Sequence, residues 1–252
     1  MIPMRKSIDV PERAAKPRTK GITAITDVGI PAGELPLILE SYHSFVDIAK
    51  LGLGTAFLEP FLAEKIACYN RFGIPVYFGG TLFEKHYIQG RITAYLDLLR
   101  HYGICHIEIS CGTISLESQR IVEMIHQFKN EFTVLVEVGK KAQDPSFTKE
   151  RWIKEASAAM DAGCDFVILE GRNTADAGIY DSHGNLDEDL INTLIQTVEP
   201  DHLIFEAATA RSQAKLINLL GANVNLGNIF ARDLLLLETQ RAGLREETFF
   251  VS

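Results

Sequence analysis

Residues 149–172 read KERWIKEASAAMDAGCDFVILEGR, and this stretch carries the pattern that decides the fold. Its first part, 149–162, is amphipathic with helical spacing, and Gly163 stands where a left-handed residue commonly ends a helix. The apolar run Asp165–Glu170 then predicts a strand buried on both faces. Arg172 follows at the point where that strand ends. The stretch therefore predicts a helix, a buried strand and a polar strand end, in that order.

The same rhythm runs through the chain from residue 21. Strands that alternate with helices pair in parallel, because parallel neighbours need a crossover connection. Eight such units within 252 residues predict the α/β class and a single (β/α)8 TIM barrel. An open doubly wound sheet is the alternative, but its Gly-rich fingerprint after the first strand is missing. The predicted strands are Ile22–Asp27, Phe45–Lys50, Ile74–Gly79, Cys105–Ser110, Phe132–Val138, Asp165–Glu170, His202–Glu206 and Asn223–Gly227, with helices near 34–42, 58–72, 87–102, 115–130, 149–162, 187–198, 210–220 and 231–242.

The barrel is predicted to occupy residues 21–252, and residues 1–20 form a basic, Pro-containing tail. This tail is either an arm that packs on the barrel or a neighbouring subunit, or a solvated segment. A net charge of −8 argues against nucleic acid as a partner, since a phosphate backbone needs a basic face. No apolar run approaches the roughly 20 residues that span a bilayer, so no membrane association and a cytoplasmic location are expected.

Polar residues collect where the predicted strands end, although a strand buried on both faces needs none. In a barrel of this type the carboxyl ends of the strands carry the active site. Glu108, Glu137, Glu170 and Glu206 come from four different strands. Carboxylates that converge in this way repel one another unless a cation lies between them. Oxygen ligands suit Mg²⁺, so these four glutamates are the predicted metal ligands, although some can instead pair with basic residues.

Basic and glycine-rich positions at the same ends predict a small anionic substrate. Ammonium and guanidinium groups bind phosphate or carboxylate, and the turn before the last helix can offer backbone N–H groups to a phosphate. A long polar segment, 173–186, is either a lid or a surface loop. No Ser/His/Asp or Cys/His set is present. The predicted substrate-binding residues are Lys50, Arg172, Gly79, Gly80, Thr81, Asn225, Gly227 and Asn228, and Lys140 and Lys141 are further basic candidates.

These motifs resemble those of the phosphosulfolactate synthase family over nearly the whole chain after the first fifteen residues. The resemblance rests on Lys16-Pro-Arg-x-x-Gly-x-Thr, Asp47-x-x-Lys50-x-Gly-x-Gly-Thr55, Gly79-Gly-Thr-Leu-Phe-Glu84, Glu108-Ile-Ser-x-Gly-Thr113, Glu137-Val-Gly-Lys-Lys141, Glu170-Gly-Arg172, Phe205-Glu-Ala207 and Asn223-Val-Asn-Leu-Gly-Asn-Ile229.

The resemblance implies a (β/α)8 barrel that adds sulfite to phosphoenolpyruvate with Mg²⁺, giving 2-phospho-3-sulfolactate. In some members this reaction opens coenzyme M biosynthesis. It also implies a homo-oligomer, with a trimer as one form. The chain departs from the family pattern at Cys111, Asn173 and Ala208, which border the site. A different enolpyruvate or a sugar phosphate on the same barrel therefore stays an alternative, as does a non-catalytic, stress-associated paralogue.

The expected mechanism is a conjugate addition in which sulfite attacks the methylene carbon and a general acid protonates its neighbour. A lysine among other cations can serve as that acid. Lys140 is the first candidate and Lys141 the second. Strand alternation would place Glu137 and Lys141 on one face, but Gly139 can break this register, so both lysines stay open.

Overall fold

The computed structural model describes residues 7–141, 146–172, 174–175 and 177–251, and it confirms the predicted (β/α)8 barrel. All strand pairs are parallel, in the order β3-β2-β1-β8-β7-β6-β5-β4. The strands are β1 Thr23–Asp27, β2 Ile48–Leu51, β3 Val76–Phe78, β4 His106–Ile109, β5 Thr133–Val138, β6 Phe166–Leu169, β7 Leu203–Glu206 and β8 Leu226–Phe230.

Helices follow the strands and cover the outside of the ring. The prediction of one helix near 87–102 is wrong. Two helices lie in this part of the chain, and the first begins earlier, at Gly80, directly after β3. The helices are α1 Leu35–Tyr42, α2 Leu62–Arg71, α3 Gly80–Ile88, α4 Ile92–His101, α5 Ser118–Phe128, α6 Lys149–Ala162, α7 Glu188–Thr197, α8 Ala210–Leu220 and α9 Leu234–Arg241. Across the described ranges, no helix is both long and apolar enough to cross a membrane.

The ring has one seam, between β3 and β4. These two strands lie side by side, but among the described residues no ladder of backbone hydrogen bonds joins them. α3 and α4 both lie in the connection that crosses this seam. The two edges of the sheet are therefore held together by other contacts.

The interior of the ring is filled by one apolar layer. Side chains alternate along a strand, so every second residue faces inward. The inward residues of this layer are Ile22, Ala24, Ile48, Tyr77, Leu135, Ile168 and Ile204, all buried. The layer closes the barrel near its middle and separates its amino end from its carboxyl end.

The amino end of the barrel is closed by arginines from the two ends of the chain. Arg241 of α9 is fully buried, and its Nη1 donates to the backbone carbonyls of Ala222 at 2.6 Å and Val224 at 2.8 Å. From the predicted tail, Arg13 binds Glu238 and Arg18 binds Asp47, each at 3.0 Å. Residues 13–18 thus lie against this end, whereas residues 1–6 lie outside the described ranges.

Candidate active site

The charged residues predicted from the strand ends form a second layer above the apolar one. Lys50 stands two residues after Ile48, and Glu137 stands two residues after Leu135. Because side chains alternate along a strand, a residue two positions on faces the same way. The same offset applies to Glu170 after Ile168 and Glu206 after Ile204. Period-two alternation therefore places these charges together inside the carboxyl end of the barrel.

Lys50 lies at the centre of this layer. Its Nζ is 3.1 Å from Glu108 Oε2, 3.4 Å from Glu206 Oε1 and 3.8 Å from Glu137 Oε2. The prediction that Lys50 binds substrate is not supported by this geometry, because its buried ammonium is already surrounded by carboxylates. The prediction that a cation lies between these three glutamates fits, but the cation the structure shows there is a lysine.

The pKa values of these groups follow from burial and from the two lysines. Burial raises the pKa of Glu108 to about 7, against the opposing charge of Lys50. Burial also pushes the pKa of Glu137 upward, but the charges of Lys141 and Lys50 outweigh it and bring that pKa down to about 2. Burial lowers the pKa of Lys50, yet Glu108 and Glu206 more than reverse this and raise it. Glu137 and Lys50 are therefore charged at neutral pH.

A second cluster surrounds Ser110, at the end of β4. Its Oγ lies 2.6 Å from Glu84 Oε1 and 2.8 Å from Glu137 Oε1. The Nζ of Lys141 lies 3.4 Å from Glu137 Oε1 and 3.7 Å from Glu84 Oε1. The backbone N–H of Thr113 also donates to Glu84 Oε1, at 3.2 Å. Two carboxylates, one hydroxyl and one ammonium thus meet at the mouth of the barrel.

The geometry separates the two candidate lysines. Gly139 has φ +122, a conformation that favours glycine, and a Cβ there would lie 2.4 Å from Trp152. The alternation from Glu137 nevertheless holds, because Lys141, four residues on, lies on the same side as Glu137. Lys140 lies away from the carboxylates, and its Nζ donates to the carbonyls of Cys111 at 2.7 Å and Ile114 at 3.0 Å. Lys141 instead lies over the carboxylates, so it takes the place of Lys140 as the better candidate for the general acid.

The Gly79-Gly80-Thr81 motif is the start of α3 rather than an open anion loop. The N–H of Gly80 donates to Glu108 Oε1 at 2.7 Å, so the helix end binds a carboxylate of the protein itself. A Cβ on Gly80 would lie 2.3 Å from Ser110 Cβ, and one on Gly79 would lie 3.2 Å from Lys50 Cε. Close packing therefore requires glycine at position 80 and leaves little room at position 79, while Thr81 lies exposed on α3.

Glu170 and Arg172 lie at the carboxyl end of β6. The N–H of Arg172 donates to Glu170 Oε1 at 2.7 Å, and the N–H of Gly171 donates to Glu206 Oε2 at 3.2 Å. Burial, followed by the charges of Glu206 and Glu137, raises the pKa of Glu170 well above its ordinary value. The Arg172 side chain is exposed at this end.

The long segment after β6 is anchored to the same end of the barrel. Ile179 and Tyr180 are buried, and the Tyr180 hydroxyl donates to the Glu206 carbonyl at 2.9 Å. This part of the segment packs on the strand ends and is not an open surface loop. Asn173, one of the departures from the family pattern, lies outside the described residues.

The last strand begins three residues later than predicted, which corrects two of the site assignments. Asn225 precedes β8 at the amino end, where it accepts a hydrogen bond from Ile22 N at 2.8 Å and donates to Leu203 O at 3.1 Å. It is therefore remote from the site. Gly227 and Asn228 do not form a turn before the helix: they lie within β8, where Gly227 pairs with Glu206, the register with β1 shifts and Asn228 has φ 56.

Three carboxylate oxygens of the cluster are buried without a hydrogen-bond partner, namely Glu84 Oε2, Glu108 Oε2 and Glu170 Oε2, and Glu108 Oε2 faces the Lys50 ammonium at 3.1 Å. An orphaned buried oxygen is costly and fits a hard cation that prefers oxygen ligands. Within the described ranges, however, no three acidic, His or Cys side chains are arranged as a complete metal site. The residues thus fit Mg²⁺ held by one or two carboxylates together with substrate and water, and not by all four predicted glutamates.

A cavity of about 580 Å³ lies beside the cluster. Glu84 and Thr113 line it on the side of the cluster, while Phe57 and Ile88 line it toward solvent. Glu84 and Ser110 were visible in the sequence as polar residues near strand ends, but they carried no assigned role. The position of Glu84 on α3 becomes a signal only when that helix begins at Gly80, earlier than the sequence pattern predicts.

A parallel eight-stranded barrel with a buried acidic cluster and a lysine at the carboxyl ends of its strands defines an enzyme of the TIM-barrel class. The family model described as (2R)-phospho-3-sulfolactate synthase (ComA) matches residues 11–247. The chain belongs to the phosphosulfolactate synthase family, which confirms the resemblance seen in the sequence.

Individual relatives agree with this assignment. The chain is 35% identical to the phosphosulfolactate synthase of Bacillus subtilis, covering 97% of this chain and 98% of the relative. It is 36% identical to that of Methanocaldococcus jannaschii, covering 91% and 94%. A solved structure of 3-keto-L-gulonate-6-phosphate decarboxylase from Vibrio cholerae has a TM-score of 0.55 at 14% identity, covering 92% of this chain and 99% of the other. This last likeness concerns the fold alone.

Proposed function

We propose that the enzyme adds sulfite to phosphoenolpyruvate and forms (2R)-2-phospho-3-sulfolactate. The observation that carries the proposal is the Lys141 ammonium, which lies against Glu137 at the open end of the barrel and is 31% exposed. A proton donor there can reach both a bound substrate and solvent. Membership of the family supports the reaction, and the position of Lys141 supports its role as the proton donor.

The bonds change in a simple order. The sulfur lone pair of sulfite forms a bond to the methylene carbon, and the electrons of the carbon–carbon double bond move toward the substrate carboxylate. Lys141 then gives a proton to the carbon that bears the phosphate ester, and it regains a proton from solvent. Burial lowers the pKa of Lys141, but Glu137 and Glu84 more than reverse this, so the residue holds its proton before the reaction.

The proposed cofactor is Mg²⁺, held by Glu84 or Glu170, whose orphaned oxygens fit it. When bound, the ion would stabilise the charge that develops on the substrate carboxylate. Arg172, which follows β6, and Asn228, at the bulge within β8, are the proposed contacts for phosphate or sulfite. Lys50 has a different part: it neutralises Glu108, Glu137 and Glu206 from within the barrel.

A direct experiment is incubation of the purified protein with phosphoenolpyruvate, sulfite and Mg²⁺, followed by mass spectrometry and chiral chromatography. We expect the (2R) adduct, and none when any one component is omitted. Adducts only from another enolpyruvate or from a sugar phosphate would favour the alternative substrate. Absence of any adduct together with no Mg²⁺-dependent thermal stabilisation by phosphoenolpyruvate would favour the non-catalytic paralogue.

We also propose that the chain self-associates, with the trimer as the form the family resemblance implies. Phe57, Leu58, Phe61 and Ile88 form an apolar rim patch, in which Phe57 is 77% and Leu58 80% exposed. Exposed apolar patches of this kind commonly mark protein interfaces. Analytical ultracentrifugation should show an oligomer that dissociates in a Phe57→Glu, Ile88→Glu double variant, and a monomeric wild type would contradict this. The cytoplasmic location stays a prediction from the sequence.

A further inference from the structure

The hydroxyl of Ser110 has more acceptors than it can serve. Ser110 is fully buried, and its Oγ lies within hydrogen-bond distance of Glu84 Oε1 at 2.6 Å and Glu137 Oε1 at 2.8 Å. A hydroxyl carries one proton, so it can donate to only one of the two carboxylates. Unless that carboxyl carries a proton, the other contact brings two oxygen lone pairs together, and a positive charge that faces both carboxylates stabilises it.

Lys141 supplies that charge. Its Nζ lies 3.7 Å from Glu84 Oε1 and 3.4 Å from Glu137 Oε1, the same two oxygens that contact Ser110. The hydroxyl and the ammonium therefore hold one pair of oxygens from opposite sides. The spacing that Ser110 imposes on these oxygens determines where the ammonium lies.

The surroundings leave this cluster little room to move. A Cβ on Gly80 would lie 2.3 Å from Ser110 Cβ. A Cβ on Gly112 would lie 2.8 Å from both Glu137 Oε1 and Lys141 Cε. Backbone thus packs directly against the hydroxyl on one side and the lysine stem on the other.

We propose that Ser110 is a positioning residue, which fixes the Lys141 ammonium through Glu84 and Glu137 so that the proton reaches one face of the substrate carbon. This inference rests on the proposed function, in which Lys141 is the proton donor. The configuration of the product records the face from which the proton arrives. A purely structural role for Ser110 would lower the amount of folded enzyme without changing that configuration.

The test compares Ser110→Ala and Ser110→Cys with the wild type. Both remove the short hydroxyl contact, and the second is nearly isosteric but a weak donor. We expect kcat to fall by about 10²-fold with KM nearly unchanged, since displacement of a catalytic group by about 1 Å has an effect of this order. We also expect a mixture of configurations, because water then protonates the carbon from either face.

Thr23→Val is the matched control. It removes a buried hydroxyl at the amino end of the barrel, and its product should remain purely (2R) at the wild-type kcat. A folded Ser110 variant with the wild-type kcat and pure (2R) product would overturn the positioning role, and if the alanine variant does not fold, the cysteine variant decides. A wild type without turnover would overturn the proposed function instead.

Discussion

Both ends of the barrel bury charged side chains, but the partners of these side chains differ. At the amino end, Arg241 donates to backbone carbonyls and Asp47 accepts from both Arg18 and the N–H of Thr23. At the carboxyl end, glutamates outnumber the lysines among them, and Glu84 and Glu170 each keep an unpaired oxygen. Removal of one partner from a buried pair leaves an uncompensated charge and destabilises the fold, whereas buried groups with perturbed pKa values collect at binding and catalytic sites.

The largest expected effect is the loss of activity in Lys141→Ala. Removal of a general acid lowers kcat by about 10²- to 10⁴-fold. The matched control is Lys140→Ala, whose ammonium binds the carbonyls of Cys111 and Ile114 and not the carboxylates. Steady-state kinetics should show a much smaller loss for this control. Equal losses of kcat in the two variants would leave both lysines as candidates for the general acid.

At the amino end, Arg241→Met should destabilise the protein without changing its chemistry. The variant leaves the buried carbonyls of Ala222 and Val224 without their donor. We expect the free energy of unfolding in urea to fall by about 3 kcal/mol or more, since each orphaned buried group costs about 1–3 kcal/mol. At low temperature kcat should match the wild type. A stable variant with reduced kcat would contradict the division between the two ends.

Glu170→Gln should stabilise the metal-free protein, whereas Arg241→Met should destabilise it. The pKa of Glu170 is raised in the fold, so its contribution to stability is present at low pH and is lost as pH rises above the unfolded value of about 4.3. Glutamine has no such dependence. The gain in melting temperature should therefore be absent near pH 4 and present by about pH 8.

Glu155→Gln is the control for that prediction. Glu155 is also buried, but it pairs with Arg151 at 2.8 Å. Its replacement should not raise the melting temperature at any pH. Thermal scans of both variants with and without Mg²⁺ should also show that only Glu170→Gln weakens stabilisation by the ion.

The smallest effect is expected for Gly163→Ala, at the end of α6. Gly163 has φ 93, and its Cβ would meet only the flexible end of Lys129, with Nζ at 3.0 Å. The cost should be about 1 kcal/mol, measured by chemical unfolding, because a side chain is disfavoured at positive φ. Gly139→Ala should cost clearly more, since the rigid Trp152 ring blocks that site.

The fold could be predicted from the sequence because its signal is local. Gly163 and the apolar run after it place β6 within one residue at each end. The start of α3 could not be predicted in this way, because the donor–acceptor pair that begins it joins Gly80 to Glu108, which is distant in sequence. The start of β8 could not be predicted either, because hydrogen bonds with Ile22 and Leu203, both distant in sequence, hold Asn225 at the amino end.

The site could be predicted as a set of charges but not as a set of contacts. Alternation brings Lys50 and the glutamates to one layer, and this follows from the sequence. Alternation also favours Lys141 over Lys140, but only the backbone at Gly139 shows that the alternation continues through it. The carboxylates that surround Lys50 depend on side-chain lengths and required coordinates.

Glu108 contributes to the closure of the barrel as well as to the charge of the site. Its carboxylate, on β4, accepts a hydrogen bond from the N–H of Gly80, which follows β3. This contact links the two strands across the seam, where the described residues form no backbone ladder. The other oxygen of the same group faces Lys50. Truncation of this side chain therefore removes a contact that closes the barrel together with a partner of Lys50.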